Sequence, residues 1–174
     1  MDFGLLILRL AVGATTAAHG TQKLLPPTRA GTGLDATAGF VDRLGFRPAR
    51  AHAWLLALSE LAGGVALAAG LVTPIAAAAV IGVMTAAIAA VHLPKGFFAQ
   101  DGGIELPLLI GLGALAIAFT GSGNWSVDHA LGWHLTGDRW ALVAAVLGLA
   151  AAAATLAARR LRVPWTGGPP PAPA

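Results

Sequence analysis

The chain contains no cysteine. That absence removes disulfide exchange, thiolate nucleophiles, Cys-ligated zinc and iron–sulfur clusters together, so any redox chemistry must run through a bound cofactor or another chain. Charge is also scarce: Asp, Glu, Lys and Arg make up 11% of the sequence against 56% hydrophobic residues, and the mean hydropathy is +0.74. A surface that water must wet cannot be built from such a composition, which excludes an ordinary soluble domain. The formal charge of +3 and isoelectric point near 10.6 would suit nucleic acid. The Lys and Arg residues are not gathered on one amphipathic face, however, and no nucleic-acid partner is expected. No basic segment precedes the first apolar run, where Met1 and Asp2 stand, so that run reads as a retained span and not a cleaved signal. G-x-G-x-x-G, P-loop, H-E-x-x-H and G-x-S-x-G patterns are missing too. No internal repeat is visible, which disfavours an inverted-repeat transporter.

What is present is a series of apolar stretches. A membrane-crossing helix needs about 20 mostly apolar residues, and the candidates are roughly 3–23, 52–71, 74–93, 104–121 and 140–158. Leu71 to Pro74 is a short turn with Pro74 suited to a first helical turn, so the second and third spans form an antiparallel hairpin. With the N-terminus outside, the inner segments hold Lys23, Arg29, Arg43, Arg47, Arg50, Lys95, Arg159, Arg160 and Arg162, and the outer connections hold only Arg139. The positive-inside rule then puts the C-terminus in the cytoplasm of a bacterial plasma membrane. Trp54, Trp125, Trp133, Trp140 and Trp165 all fall near span ends, where an amphipathic ring prefers to sit. In the first inner connection, Asp35 is placed to cap a short helix through Phe40, Val41 and Leu44, with Gly45 as its stop and Pro48 preventing continuation. Such a helix lies along the inner membrane surface or tucks against the bundle. The Pro/Ala segment from 163 to 174 cannot build a core and reads as disordered.

Ionisable groups inside hydrocarbon are costly unless they meet one another, so they are the strongest pointers to a site. Arg9 and Glu60 each lie near the middle of a span and are expected to form an intramembrane ion pair that holds two helices in register. His19, Gln22, Lys23, His92 and Glu105 all fall in the inner leaflet by depth, predicting a polar vestibule that opens to the cytoplasm. Two histidines and a carboxylate suit a metal, the axial positions of a haem, or hydrogen bonding and proton relay to a quinone. No histidine pair occurs at i, i+3 or i+4. A metal site is therefore not expected, and haem ranks below a small polar-headed ligand. His129, His134, Asp128 and Asp138 read as a solvated outer loop.

Several short segments in order carry a resemblance: Arg9 with Gly13, His19-Gly20 and Lys23-Leu24; Phe40 to Gly45; Glu60 with Gly63-Gly64, Leu67 and Gly70; His92 with Gly96-Phe97-Phe98; Gly102-Gly103-Ile104-Glu105; and Gly121-Ser122-Gly123 leading to Ser126-Val127-Asp128. Over about residues 3–130 the chain resembles the DoxX family of small bacterial membrane proteins. That resemblance implies a bundle of four transmembrane helices. It also implies an association with redox systems, since the family takes its name from a membrane thiosulfate:quinone oxidoreductase and some members are linked to oxidative-stress complexes. The chain departs from the pattern in its fifth apolar segment, expected to pack outside the core, and in lacking the thiols that direct sulfur chemistry needs.

The expectation is thus an all-α integral membrane four-helix bundle with an additional fifth C-terminal transmembrane helix, divided into a core at 1–138, the extra helix with its basic end at 139–162, and the tail at 163–174. The expected function is a membrane component of a redox system, a candidate oxidoreductase subunit, binding quinone or a similar molecule at His19, Gln22, Lys23, His92 and Glu105. The alternative is a non-catalytic scaffold that gathers soluble redox proteins on the cytoplasmic side.

Overall fold

Glycines decide how the first two long helices meet. In the computed structural model, which describes residues 2–28 and 30–159, α1 (Asp2–Leu24) runs antiparallel to α3 (Ala49–Ala69). A Cβ added to Gly13 would lie 2.6 Å from the Gly64 carbonyl, and one on Gly20 would lie 2.7 Å from the Ala57 carbonyl. The two backbones therefore touch. Between apolar helices in lipid there is little hydrophobic drive, so this close van der Waals approach is what holds the pair. Asp2 in the first turn of α1 and Lys23 in its last turn complement the helix dipole.

The α3 helix stops at Gly70, whose φ of 66° is left-handed, and Leu71 N–H closes the end on the Ala66 carbonyl at 2.9 Å. After this tight turn α4 (Thr73–Ala87) begins, with Pro74 in its first turn as expected. It continues as a π-helical turn over Ile88–His92 and a 3₁₀ turn over Leu93–Lys95, giving one span from Thr73 to Lys95. A looped segment leads to α5 (Glu105–Thr120), then come a single turn, α6 (Val127–Ala130), and α7 (Asp138–Ala157).

Helices α1, α3, α4 and α5 form a closed ring, each packed on the next, around Val12, Leu67, Val80, Met84, Ile110 and Ile117. The fifth long helix, α7, lies outside this ring on α4 and α5. Gly82 and Gly148 let α4 and α7 approach so that a Cβ on Gly82 would stand 3.0 Å from the Gly148 carbonyl. The expected bundle of four with a fifth helix is thus the observed architecture. Four of the helices, α1, α3, α4 with its extension, and α7, are long and apolar enough to cross a membrane, and α5 is a shorter apolar helix of 16 residues. Large side chains such as Leu109, Leu112, Leu142, Val146 and Leu149 are exposed on the outside, the arrangement that suits lipid and not water.

The short helix of the first connection is present as α2 (Leu34–Arg43), but Gly33 and not Asp35 occupies the capping position. Asp35 instead lies 3.5 Å from Arg50. Val41, Phe46 and Ala53 form a second apolar cluster with Leu44, Leu56, Ala90 and Leu156, so α2 is tucked against the bundle. Gly45, φ 90°, ends it as expected. The tail from 163 to 174, with Arg29, Arg160 and Arg162, lies outside the described residues.

Candidate functional site

At the end of the bundle where Lys23 closes α1 and Arg50 opens α3 lies a half-open cavity of about 500 Å³. His19 and Lys23 of α1, His52 and Glu60 of α3, and His92 at the end of the π-helical turn reach its wall. Apart from Ser59 and Thr155 the remaining wall is largely apolar, including Phe40, Phe46, Val83, Leu106 and Ile110. A mostly apolar chamber with a few convergent polar groups is the usual form of a small-molecule site, and its volume falls within the typical range of about 300–1,000 Å³.

Each polar group is held by something identifiable. Lys23 Nζ donates to Glu60 Oε2 at 2.5 Å and to the His19 carbonyl at 3.1 Å, with both side chains largely buried. Glu60 therefore has its counter-ion, and His19 stands within Coulombic reach of it. His92 Nδ1 donates to the Gly102 carbonyl at 2.6 Å, and His52 Nδ1 to the Pro48 carbonyl at 3.0 Å. The π-helical turn matters here, since an extra residue per turn rotates the end of α4 and is a frequent device at functional sites. A loop crosses below His92, with Gly103 N–H on the Phe98 carbonyl, Ile104 N–H on Gly96 and Glu105 N–H on Phe97.

Two expectations are corrected by this geometry. Arg9 and Glu60 do not pair. The register set by Gly13 and Gly20 places Arg9 beside Gly70 and brings Lys23 to Glu60, and Glu60 is ten residues of helix away from Gly70, about 15 Å at 1.5 Å per residue. Nor does Glu105 face the histidines: its Oε2 accepts from Ala99 N–H at 2.8 Å and braces the loop that presents Gly102 to His92. Gln22 is exposed, outside the cavity wall. Of the expected group, His19, Lys23 and His92 come together. Among the described residues, no group of three His, Asp or Glu is disposed to hold a metal ion.

Arg9 belongs to a second polar cluster at the opposite end. It is 1% exposed, and its Nη2 donates to the Trp125 carbonyl at 2.6 Å. Asp128, read from sequence as part of a solvated loop, is also 1% exposed. It accepts from Val72 N–H at 2.6 Å, Thr73 N–H at 3.0 Å and the Thr73 hydroxyl at 2.6 Å, and lies within Coulombic reach of Arg9. His129, His134 and Asp138 remain exposed, as expected of that loop.

The sequence model of the DoxX family matches residues 4–93, a little over half of the chain. The chain belongs to the DoxX family. A curated relative, the uncharacterized membrane protein Rv3486 of Mycobacterium tuberculosis, is 29% identical over 141 residues, covering 74% of this chain and 82% of the relative. No solved structure matches. In this DoxX protein the matched stretch contains Arg9, His19, Lys23, Glu60 and His92, whereas Gly102, Glu105 and Asp128 lie beyond it.

Two residues of this DoxX protein escaped sequence reading. His52 carries no signal in the sequence because it sits at a helix start among exposed residues, and only the fold of α2 back onto α3 brings it to the cavity. Asp128 had a readable signal: α4 starts at Val72-Thr73-Pro74 with no capping side chain of its own, so its first N–H groups require an acceptor from elsewhere.

Proposed function

We propose that this DoxX protein is the membrane component of a redox system and binds a quinone, or a comparable molecule with a polar head and an apolar body, in the cavity at its basic end. The observation that carries this reading is the convergence of His19, His52, His92, Lys23 and Glu60 on one apolar chamber of about 500 Å³. The apolar walls suit the body of such a ligand, and the histidines suit hydrogen bonding and proton exchange with its head. By the positive-inside rule the chamber faces the cytoplasm, where a soluble redox partner would meet it. The scaffold alternative is weakened by the first connection itself. There α2 turns its apolar face inward, against the bundle.

The test is purification in mild detergent, a visible spectrum, and mass spectrometry of extracted small molecules. A quinone or its hydroquinone recovered in near-stoichiometric amount, and lost from His92→Ala, is the expected result. A haem band, or no ligand together with no binding of added quinone or hydroquinone, overturns the proposal.

A further inference from the structure

Hydrogen-bond polarity inside the cavity narrows what its occupant can be. A backbone carbonyl only accepts, so the ring nitrogen bonded to it must carry the proton. His92 Nδ1 lies 2.6 Å from the Gly102 carbonyl, and His52 Nδ1 lies 3.0 Å from the Pro48 carbonyl. In the neutral imidazole this leaves Nε2 of both rings as a bare lone pair. Glu60 adds a carboxylate, again an acceptor. Among the described residues of the wall the fixed donor is Lys23, and two of its three N–H groups are taken by Glu60 and the His19 carbonyl. Ser59 and His19 can act in either sense. At His92 and His52 the ring nitrogens that await a partner are therefore acceptors, while Glu60 already has Lys23.

We infer that the cavity selects a ring-headed amphiphile that donates a hydrogen bond through a hydroxyl group, a hydroquinone or phenol in preference to the corresponding quinone or ether, with His92 Nε2 receiving the proton end of that bond. This inference rests on the reading of the cavity as a ligand site. A quinone carbonyl set against the Nε2 lone pair meets repulsion unless the imidazole is first protonated. A hydroxyl meets an acceptor oriented in advance. The orientation comes from the loop behind the ring, where Gly102 adopts φ 77° and where a Cβ on Gly103 would come within 2.6 Å of the Phe97 carbonyl. Glu105, holding Ala99 N–H, is a positioning residue for that loop.

The experiment uses the full chain in mild detergent, well above the ordinary imidazole pKa of about 6.5, with two probes: a para-alkylphenol and its methyl ether, equal in tail and ring. Neither probe requires an oxidant or reductant. The phenol is expected to bind about three- to tenfold more tightly, the range of one net hydrogen bond. His92→Ala should erase the difference by weakening the phenol alone. In histidine-labelled wild-type protein, the Nε2 resonance of His92 should move with phenol and stay in place with ether. Equal binding of the two probes to wild type overturns the donor rule while leaving the site itself standing. Failure of both probes to bind overturns the ligand site and the inference with it. The wild-type comparison decides the matter even where His92→Ala does not fold.

Discussion

Asp128 illustrates how much one side chain can hold when the backbone around it has unmet donors. It closes the start of α4, receives the Thr73 hydroxyl, and lies opposite the buried charge of Arg9. Asp128→Asn keeps the shape and removes the carboxylate charge within Coulombic reach of Arg9, which retains the Trp125 carbonyl. The bonds from Val72 and Thr73 lose their charge assistance, about 1.5–3 kcal/mol for a hydrogen bond to a charged group, so the variant should show a lower thermal midpoint in detergent. Adding Arg9→Met should recover part of that loss; strictly additive losses would show that the two charges do not act on each other. Glu105 offers a residue-scale contrast. Glu105→Ala frees Ala99 N–H and loosens the loop behind His92, whereas Glu105→Gln retains an accepting oxygen. Ligand affinity should fall about threefold to tenfold in the first, the cost of one net hydrogen bond, and stay near wild type in the second. Equal losses in both would mean that the carboxylate charge, and not the brace, matters.

Among the elements, the α1–α3 pair depends on backbone proximity that only glycine permits. Gly64 meets the Gly13 carbonyl, with 2.6 Å between that oxygen and a Cβ placed on it, while Gly4 in the same α1 has nothing within 4 Å. Gly64→Val should separate the helices and cost about 1–3 kcal/mol or more by overpacking, with folded yield in detergent falling accordingly. Gly4→Val should leave yield unchanged. A tolerated Gly64→Val would show that the helix pair is looser than its register implies. The same register explains why depth alone misassigned the partners of Arg9 and Glu60. Both residues were correctly located within their spans, but an antiparallel pair can slide by whole turns, and the slide is set by where the glycines meet. The π-helical turn before His92 was equally illegible, since Ile88 to His92 carries no residue that demands it.

For the molecule as a whole, α7 supplies part of the cavity wall through Ala151 and Thr155, and Arg159 ties its end to the Leu44 carbonyl. Truncation after residue 137 should therefore leave a chain that inserts into membranes but loses ligand binding, measured with the same probes. Retained affinity would reduce α7 to a peripheral support. Orientation can be tested directly because the chain has no cysteine to give background labelling. Ala30→Cys should react with an impermeant thiol reagent only from the cytoplasmic side and Gly132→Cys only from outside; the opposite pattern would invert the topology and turn the cavity outward.

Composition and spacing by themselves determined the all-helical membrane fold, the span positions and the hairpin at Pro74, because lipid leaves a backbone few ways to satisfy its own hydrogen bonds and because long apolar runs are visible without any knowledge of contacts. They also brought His19, Lys23 and His92 to one level. Which groups then touch was decided by tertiary structure: Lys23 with Glu60, Arg9 with the Trp125 carbonyl, Glu105 with its loop, Asp128 under the start of α4. Depth follows from counting residues along one helix, whereas azimuth and register follow from how two surfaces pack, and that information resides in no single helix.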